Sequence, residues 1–359
     1  MRIMRSAIAL ASVLALGLTA CGTSTDTSSP DPTTAEETTS APAESESASE
    51  EPSESPSEGG SEGAGDVPQG DGTQTIYLVS KGFQHRFWQA VREGAEQAGE
   101  EFNYKVEFVG PQNETQVTEQ LNMLKTALDS KPAAIGLAAL DSGAASDLLD
   151  QIEAAGIPII AFDSGVDSDI PLTTVQTDNY AAAQAAAEHL VELIGGQGTV
   201  GLICHDQTSQ TGKQRCDGFK EYMAENAPDV TVLPEQIAGE VGLAANAAKS
   251  MIQANPDMVG LYGSNEAAAT GAVQGAIESG NSELKVVGFD SGKTQIDAIK
   301  NGQQAGAVTQ APIKMGYETV VAAIKAINGQ ELPEVIDSGF AWYDASNIDD
   351  PEIAANLYE

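Results

Sequence analysis

The stretch IIAFDSG at 159–165, with its near-copy VVGFDSG at 286–292, decides how this chain folds. Each copy is an apolar run of strand length closed by an acid and turn residues. Upstream of the first copy, TIYLVS (75–80) precedes FWQAVREGAEQAGEE (87–101). YKVEFV (104–109) then precedes ETQVTEQLNMLKTALDS (114–130), and AAIGLAAL (133–140) precedes AASDLLDQIEAAG (144–156). The short apolar runs read as strands buried on both faces, and the segments between them repeat apolar residues at helical spacing. After LTTVQTDN (172–179) the pattern restarts. A helix, YAAAQAAAEHLVELIG, leads to TVGLIC (199–204), a helix near 213–226 and VTVLPEQIA (230–238). LAANAAKSMIQA, MVGLYGS (258–264) and AATGAVQGAIESG then lead to the second copy. AGAVTQ (305–310) and PIKMGYETVVAAIKAING (312–329) complete the series. Strand–helix alternation predicts an α/β fold with parallel sheets covered by helices on both sides. It comes as two similar halves, and FDSG closes a strand in each.

Ligands of open parallel sheets bind at the carboxyl ends of the strands, where loops and helix N-termini converge. Asp163 and Asp290 each stand at such an end. Facing halves would point both carboxylates into one cleft. The alternative is that each Asp caps the helix that follows it.

The 359 residues carry 53 acids against 17 lysines and arginines. That balance argues against nucleic acid and anionic lipid as partners. The chain opens MRIMRSAIALASVLALGLTAC, a basic start and an apolar run too short to span a bilayer, as in a secretory signal. Leu18-Thr19-Ala20-Cys21 resembles the lipobox of bacterial lipoproteins, where cleavage falls before the cysteine and its thiol takes lipid. The alternative is an ordinary signal with a coincidental cysteine. From Gly22 to Gln74 there are thirteen acids, no base and almost nothing apolar. Such a stretch cannot repay its ordering entropy, so a disordered tether is expected. The expected organisation is a signal at 1–20, a tether at 21–74, a first lobe at 75–177 with 311–338, and a second at 178–310 with 339–359.

Cys204 and Cys216 are the other two cysteines. Outside the cytoplasm the pair is either a disulfide or two thiols, and the sequence leaves both open. Motif matches fail on context. GGQGTVG (195–201) contains GxGxxG but runs from helix into strand, and GFDSGKT (288–294) is one residue short of a phosphate loop. GGSEG (59–63) fits GxSxG but lies in the tether. His85, His189 and His205 lack ligand spacing, so no metal site and no cofactor are expected.

Residues 75–340 resemble the type I periplasmic binding proteins of the ribose and galactose group, the solute receptors of ABC importers. The stretches that carry the likeness are KGFQHRFWQAVREGAEQA, GIPIIAFDSGVDSD, TDNYAAA, GKQRCDGF, GSNEAAATGA, VVGFDSGKT and AGAVTQAP, in the family's order. The resemblance implies two Rossmann-like lobes joined by three crossovers, with a sugar in the cleft and closure by hinge bending, a motion for which such proteins are a standard example. It implies a ligand shell of His85, Phe87 and Trp88 at the first helix, Asp163, Arg215, Asn265 and Asp290, and Gln310 on the last crossover. Lys81, in the loop after the first strand, is added as a candidate. The apolar series Val91, Ala95, Ala98 assigns one of Phe87 and Trp88 to the core, and Glu266 is assigned to the helix start rather than to ligand.

These residue types suit a neutral polyhydroxyl ligand. A carboxylate takes a hydroxyl proton, Arg, Asn and Gln feed its lone pairs, and an aromatic ring covers the apolar sugar face. The chain departs from the ribose receptors at Ser164, where they carry Arg, at Ala138 in place of Asn, at Gly239 in place of Phe, and at His85 in place of Asn. One extra residue lengthens the loop Lys81–Arg86. The smaller side chains imply a roomier pocket, for a hexose, an inositol-like polyol or a substituted sugar. Lys81, His85 and Arg215 would favour an anionic sugar instead, against Asp163 and Asp290. The expected protein is a monomeric, lipid-anchored receptor outside the cell membrane, without enzymatic activity, delivering to an ABC permease. The alternative is a sensory receptor delivering to a chemoreceptor or sensor kinase.

Overall fold

The computed structural model describes residues 67–83 and 85–358. The expected signal, Cys21 and the tether up to residue 66 lie outside the described residues. The first lobe runs β1 (Thr75–Val79), α1 (Arg86–Glu101), β2 (Lys105–Val109), α2 (Val117–Ser130), β3 (Ala134–Leu137), α3 (Ser146–Ala154), β4 (Ile159–Phe162) and β5 (Thr174–Gln176). The second lobe takes α4 (Asn179–Ile194), β6 (Gly198–Cys204), α5 (Gln210–Asn226), β7 (Val230–Val232), β8 (Gln236–Ile237) and α6 (Val241–Ala254). It continues with β9 (Met258–Gly263), α7 (Glu266–Ser279), β10 (Lys285–Phe289), α8 (Lys293–Lys300) and β11 (Gly306–Gln310). The chain returns to the first lobe for α9 (Pro312–Ile327) and β12 (Val335–Asp337), then to the second for β13 (Phe340–Asp344) and α10 (Pro351–Ala354).

The first sheet has the order β12-β5-β4-β3-β1-β2 and the second β13-β11-β10-β9-β6-β7, with β8 also on β6. All pairs are parallel except β11 with β13. The inner strands β3 and β4 are buried at every residue, as continuous apolar runs demand. The expected strand at 230–238 is split into β7 and β8. Leu233 still donates its N–H to Val200, but Pro234 has no N–H with which to continue the ladder.

Apolar clusters fill both faces of each sheet. In the first lobe α1 lies against α9, and the contact depends on two glycines. A Cβ at Gly94 would overlap the carbonyl oxygen of Ile313, and one at Gly316 that of Val91. Cys204, at the end of β6, is bonded to Cys216 in α5, with Cα atoms 6.0 Å apart.

The tether as drawn from the sequence is too long. Residues 67–74 are packed on the first lobe: Val67 touches its core, and Gly70 and Gly72 donate to the carbonyls of Phe102 and Asn103 at 2.8 and 3.0 Å. The end of α1 presents carbonyls without helical partners, and this segment supplies their donors.

The chain passes between the lobes three times, after β5, β11 and β12. Thr177 ties the three passages together. Its hydroxyl lies 2.9 Å from Gln310 Oε1, 3.2 Å from Ser338 Oγ and 3.3 Å from the carbonyl of Gly339.

Candidate ligand-binding cleft

Both FDSG motifs fold alike. Phe162 and Phe289 end their strands fully buried, anchoring the turn in the core. The acids that follow adopt the left-handed region, Asp163 at φ 57° and Asp290 at φ 75°. Short polar side chains tolerate that region best, and strain of this kind gathers at functional sites. In each motif the acid donates its N–H to the neighbouring strand, Asp163 to Val175 at 2.8 Å and Asp290 to Val308 at 2.7 Å. Neither caps the helix after it. No helix starts within ten residues of Asp163, and Asp290 Oδ2 instead accepts the N–H of Glu266, at the start of α7, at 2.9 Å.

The two acids face one cavity between the lobes. All nine residues expected from the sequence line it, and Glu114 and His205 line it with them. The lobes also touch each other directly. Ser142 donates its N–H to the carbonyl of Thr208 at 3.1 Å, and Lys213 Nζ reaches Ser142 Oγ at 2.9 Å. Gln210 Nε2 donates to the carbonyl of Val166 at 3.1 Å.

From the first lobe, Lys81 Nζ donates to Thr211 Oγ1 of the second at 3.0 Å and stands 3.8 Å from Asp163 Oδ2. Phe87 and Trp88 meet edge to face at 5.0 Å between centroids. Both belong to the apolar core and both line the cavity, so the expected division between them does not occur. The Trp88 indole donates to Glu114 Oε1 at 2.7 Å. From the second lobe, the Arg215 guanidinium lies 3.7 Å over the Phe289 ring and donates through Nε to Asn179 Oδ1 at 2.7 Å. Asn265 Oδ1 caps α7 at the N–H of Ala268, which leaves its amide nitrogen for the cavity. Gln310 Nε2 donates to Asp290 Oδ1 at 2.7 Å.

The electrostatics are those of a buried mixed cluster. Burial raises the Asp163 carboxyl to about 6, even though Lys81 and Arg215 pull it down. At Glu114 burial also pushes upward, but Lys81, His85 and the Trp88 N–H outweigh it and hold the carboxyl at about 2. Burial, with Lys81 and Arg215, depresses His205 against the pull of Asp206, so the ring is neutral; its Nδ1 meets Ser264 Oγ at 2.7 Å. Three carboxyl groups thus face the two cations Lys81 and Arg215. His85 Nε2 and Asp163 Oδ2 are buried without a hydrogen-bond partner, as is Glu266 Oε2 beside the cleft. Buried polar atoms are almost always paired, so the unpaired ones on the cavity wall are open to a ligand's groups.

Glu114 and His205 were missed because no motif carries them. The strand-end rule could have found His205, which directly follows β6, whereas Glu114 is five residues past the end of β2. The roomier pocket expected from Ala138, Ser164 and Gly239 is not found. None of the three lines the cavity, and Lys81, Glu114 and His205 occupy the cleft.

Comparison with known proteins identifies the family. The periplasmic binding protein domain matches residues 76–331. A D-apiose import binding protein of Actinobacillus succinogenes is 27% identical over 269 residues, covering 73% of this chain and 86% of its own. An ABC transporter solute-binding protein from Agrobacterium vitis, solved with α-D-tagatopyranose, is 30% identical, with a TM-score of 0.77 over 80% of this chain and 99% of its own. A carbohydrate transporter solute-binding protein from Agrobacterium radiobacter, solved with D-arabinose, is 31% identical with a TM-score of 0.75, covering 79% and 98%. The chain therefore belongs to the periplasmic binding protein domain family, among the sugar-binding solute receptors of ABC transporters.

Proposed function

We propose that this chain is an extracytoplasmic receptor, anchored by lipid on Cys21, that holds one neutral monosaccharide between its lobes and hands it to an ABC permease. The observation that carries the ligand class is the cavity between the lobes, lined by Asp163 and His85, whose Oδ2 and Nε2 atoms are buried without partners. Its carboxylate acceptors suit hydroxyl protons. With three carboxyl groups against Lys81 and Arg215, a sugar acid would add a like charge to the cluster. The ring of Phe87 offers the apolar sugar face a partner. Arg215, Asn265 and Gln310 supply donors, and an analogue that lacks one hydroxyl leaves a buried group unpaired, which is how the site selects. The likeness to proteins named for D-apiose or solved with D-tagatose or D-arabinose supports a pentose or hexose. This is recognition and closure, without bond cleavage.

Thermal melting of the full chain with D-apiose, D-tagatose, D-arabinose, D-glucuronate and glutamine tests the reading. A micromolar ligand at millimolar concentration stabilises by about 4 kcal/mol, a shift on the order of 10 °C. The expected result is a large shift with a neutral sugar and none with glucuronate or glutamine. A shift with glucuronate or glutamine alone would overturn the ligand class.

A further inference from the structure

The segment after β13 lies beyond the matched family domain, which ends at residue 331, and it contributes no residue to the cavity lining. It is fastened to the second lobe. Ile353 and Leu357 pack on a cluster of Ile296, Ile299, Ala307, Tyr343 and Ile348. The carbonyl of Asn356 accepts from Ser291 Oγ and Thr309 Oγ1, both at 3.1 Å. The next side chain but one does something different. Tyr358 is 7% exposed, and its ring belongs to the first lobe's core, edge-on to Phe87 at 6.3 Å between centroids. Its hydroxyl accepts the N–H of Ser291 at 3.2 Å, and its own N–H points to the Ser291 carbonyl at 3.4 Å. Ser291 is the residue after Asp290. One side chain therefore touches the ring offered to the sugar in one lobe and the turn that holds a cavity carboxylate in the other.

We propose that Tyr358 is a positioning residue for Phe87, and that the segment 345–358 acts as a fourth, non-covalent strap between the lobes beside the three covalent crossovers. The ring is the wall against which Phe87 rests. Without it the Phe87 side chain gains rotamers and the lobes lose a contact that opening must break. Burial raises the Tyr358 phenol well above its ordinary value, so the hydroxyl stays protonated and neutral across physiological pH. The part concerning affinity rests on the sugar-receptor reading; the part concerning lobe contact does not.

The test uses the full chain in a Trp342→Phe background, which leaves Trp88 as the single tryptophan of the two present. Trp88 is 1% exposed and packed on Phe87, so acrylamide quenching of its emission reports the opening of this contact without any sugar. Tyr358→Ala should raise quenching several-fold, Tyr358→Leu should raise it as well although it refills the core, and Tyr358→Phe should stay at the parent's level. Parent-like quenching in the Leu variant overturns the proposal, even where the Ala variant fails to fold. A calorimetric titration with D-arabinose adds a readout that mere core filling would not move. Tyr358→Ala should weaken binding by about two- to tenfold, the worth of an aromatic pair, and the loss should vanish in a Phe87→Leu background. An equal loss in both backgrounds removes the positioning role. If D-arabinose does not bind the parent, the titration uses whichever of D-apiose and D-tagatose does; failure of all three counts against the ligand reading, and the quenching result still decides the strap.

Discussion

Asp163 and Asp290 show why a four-residue motif recurs. Each needs a buried Phe to end its strand, an acid that tolerates positive φ, and space beside the turn, and FDSG supplies all three. Replacing either acid by Asn keeps a residue suited to the left-handed region but removes the acceptor charge. Asp163→Asn should therefore melt close to the parent and lose about 1.5–3 kcal/mol of sugar affinity, the worth of a hydrogen bond to a charged group. Titration calorimetry measures this. The same carboxyl gives binding a pH dependence. Sugar hydroxyls donate to the ionised form, so affinity should rise with pH through about 6 and level off above it, and Asp163→Asn should flatten the profile. Stability without sugar runs the other way. Asp163 and Glu266 have folded values raised to about 6 and about 7, so their contribution is complete below their ordinary values of 3.8 and 4.5 and is lost as pH rises through 6 to 7. Glu114 and Asp206, both held at about 2, contribute above those ordinary values and are lost as pH falls toward 2. The sugar-free chain should melt highest near pH 4 to 5, and the net charge of −36 adds repulsion above that. Melting curves from pH 3 to 8 check it; an optimum above neutrality contradicts it.

Helices and strands were legible where their pattern was strong and short-range. β1, β3, β4, β6, β9 and β10 are apolar runs, and α1 and α9 repeat their apolar residues at helical spacing. β12 and β13 went unread. β12 has the sequence VID with its first and last residues exposed, and β13 joins the sheet antiparallel as an edge strand, so neither shows the continuous apolar run of the inner strands. The wrapping of 67–74 onto α1 was hidden for a related reason: it is held by backbone bonds, to which composition is blind. The disulfide between β6 and α5 closes a loop with a sequence separation of 12, for which the chain-entropy relation gives about 3 kcal/mol. Urea denaturation of Cys204→Ala/Cys216→Ala should show a loss of that order. The α1–α9 contact makes a second check. Gly316→Ala must push the helices apart and should cost about 1–3 kcal/mol, although alanine is the better helix former.

Three passages and a set of direct contacts hold the two lobes in register around one cavity. Their topology followed from the repeated βα pattern and the family likeness. The cavity's floor plan followed only in part. Strand-end acids are readable, whereas Glu114, His205 and Tyr358 reach the cleft region through loops and packing that no local pattern encodes. Thr177, where the passages meet, should be sensitive. Thr177→Val leaves the buried Gln310 Oε1 without its donor and should cost about 1–3 kcal/mol in urea denaturation. The decisive comparison is the melting of the full chain, Asp163→Asn and Asp290→Asn, each with and without D-apiose, D-tagatose and D-arabinose. If both strand-end carboxylates grip one sugar, the parent gains on the order of 10 °C with at least one of them and each variant loses most of that gain. Asp163→Asn keeps a sugar-free melting temperature near the parent's, whereas Asp290→Asn, which sets an amide N–H against Glu266 N–H or Gln310 Nε2, starts lower. Equal gains in the parent and both variants, or no gain with any of the three, would contradict it.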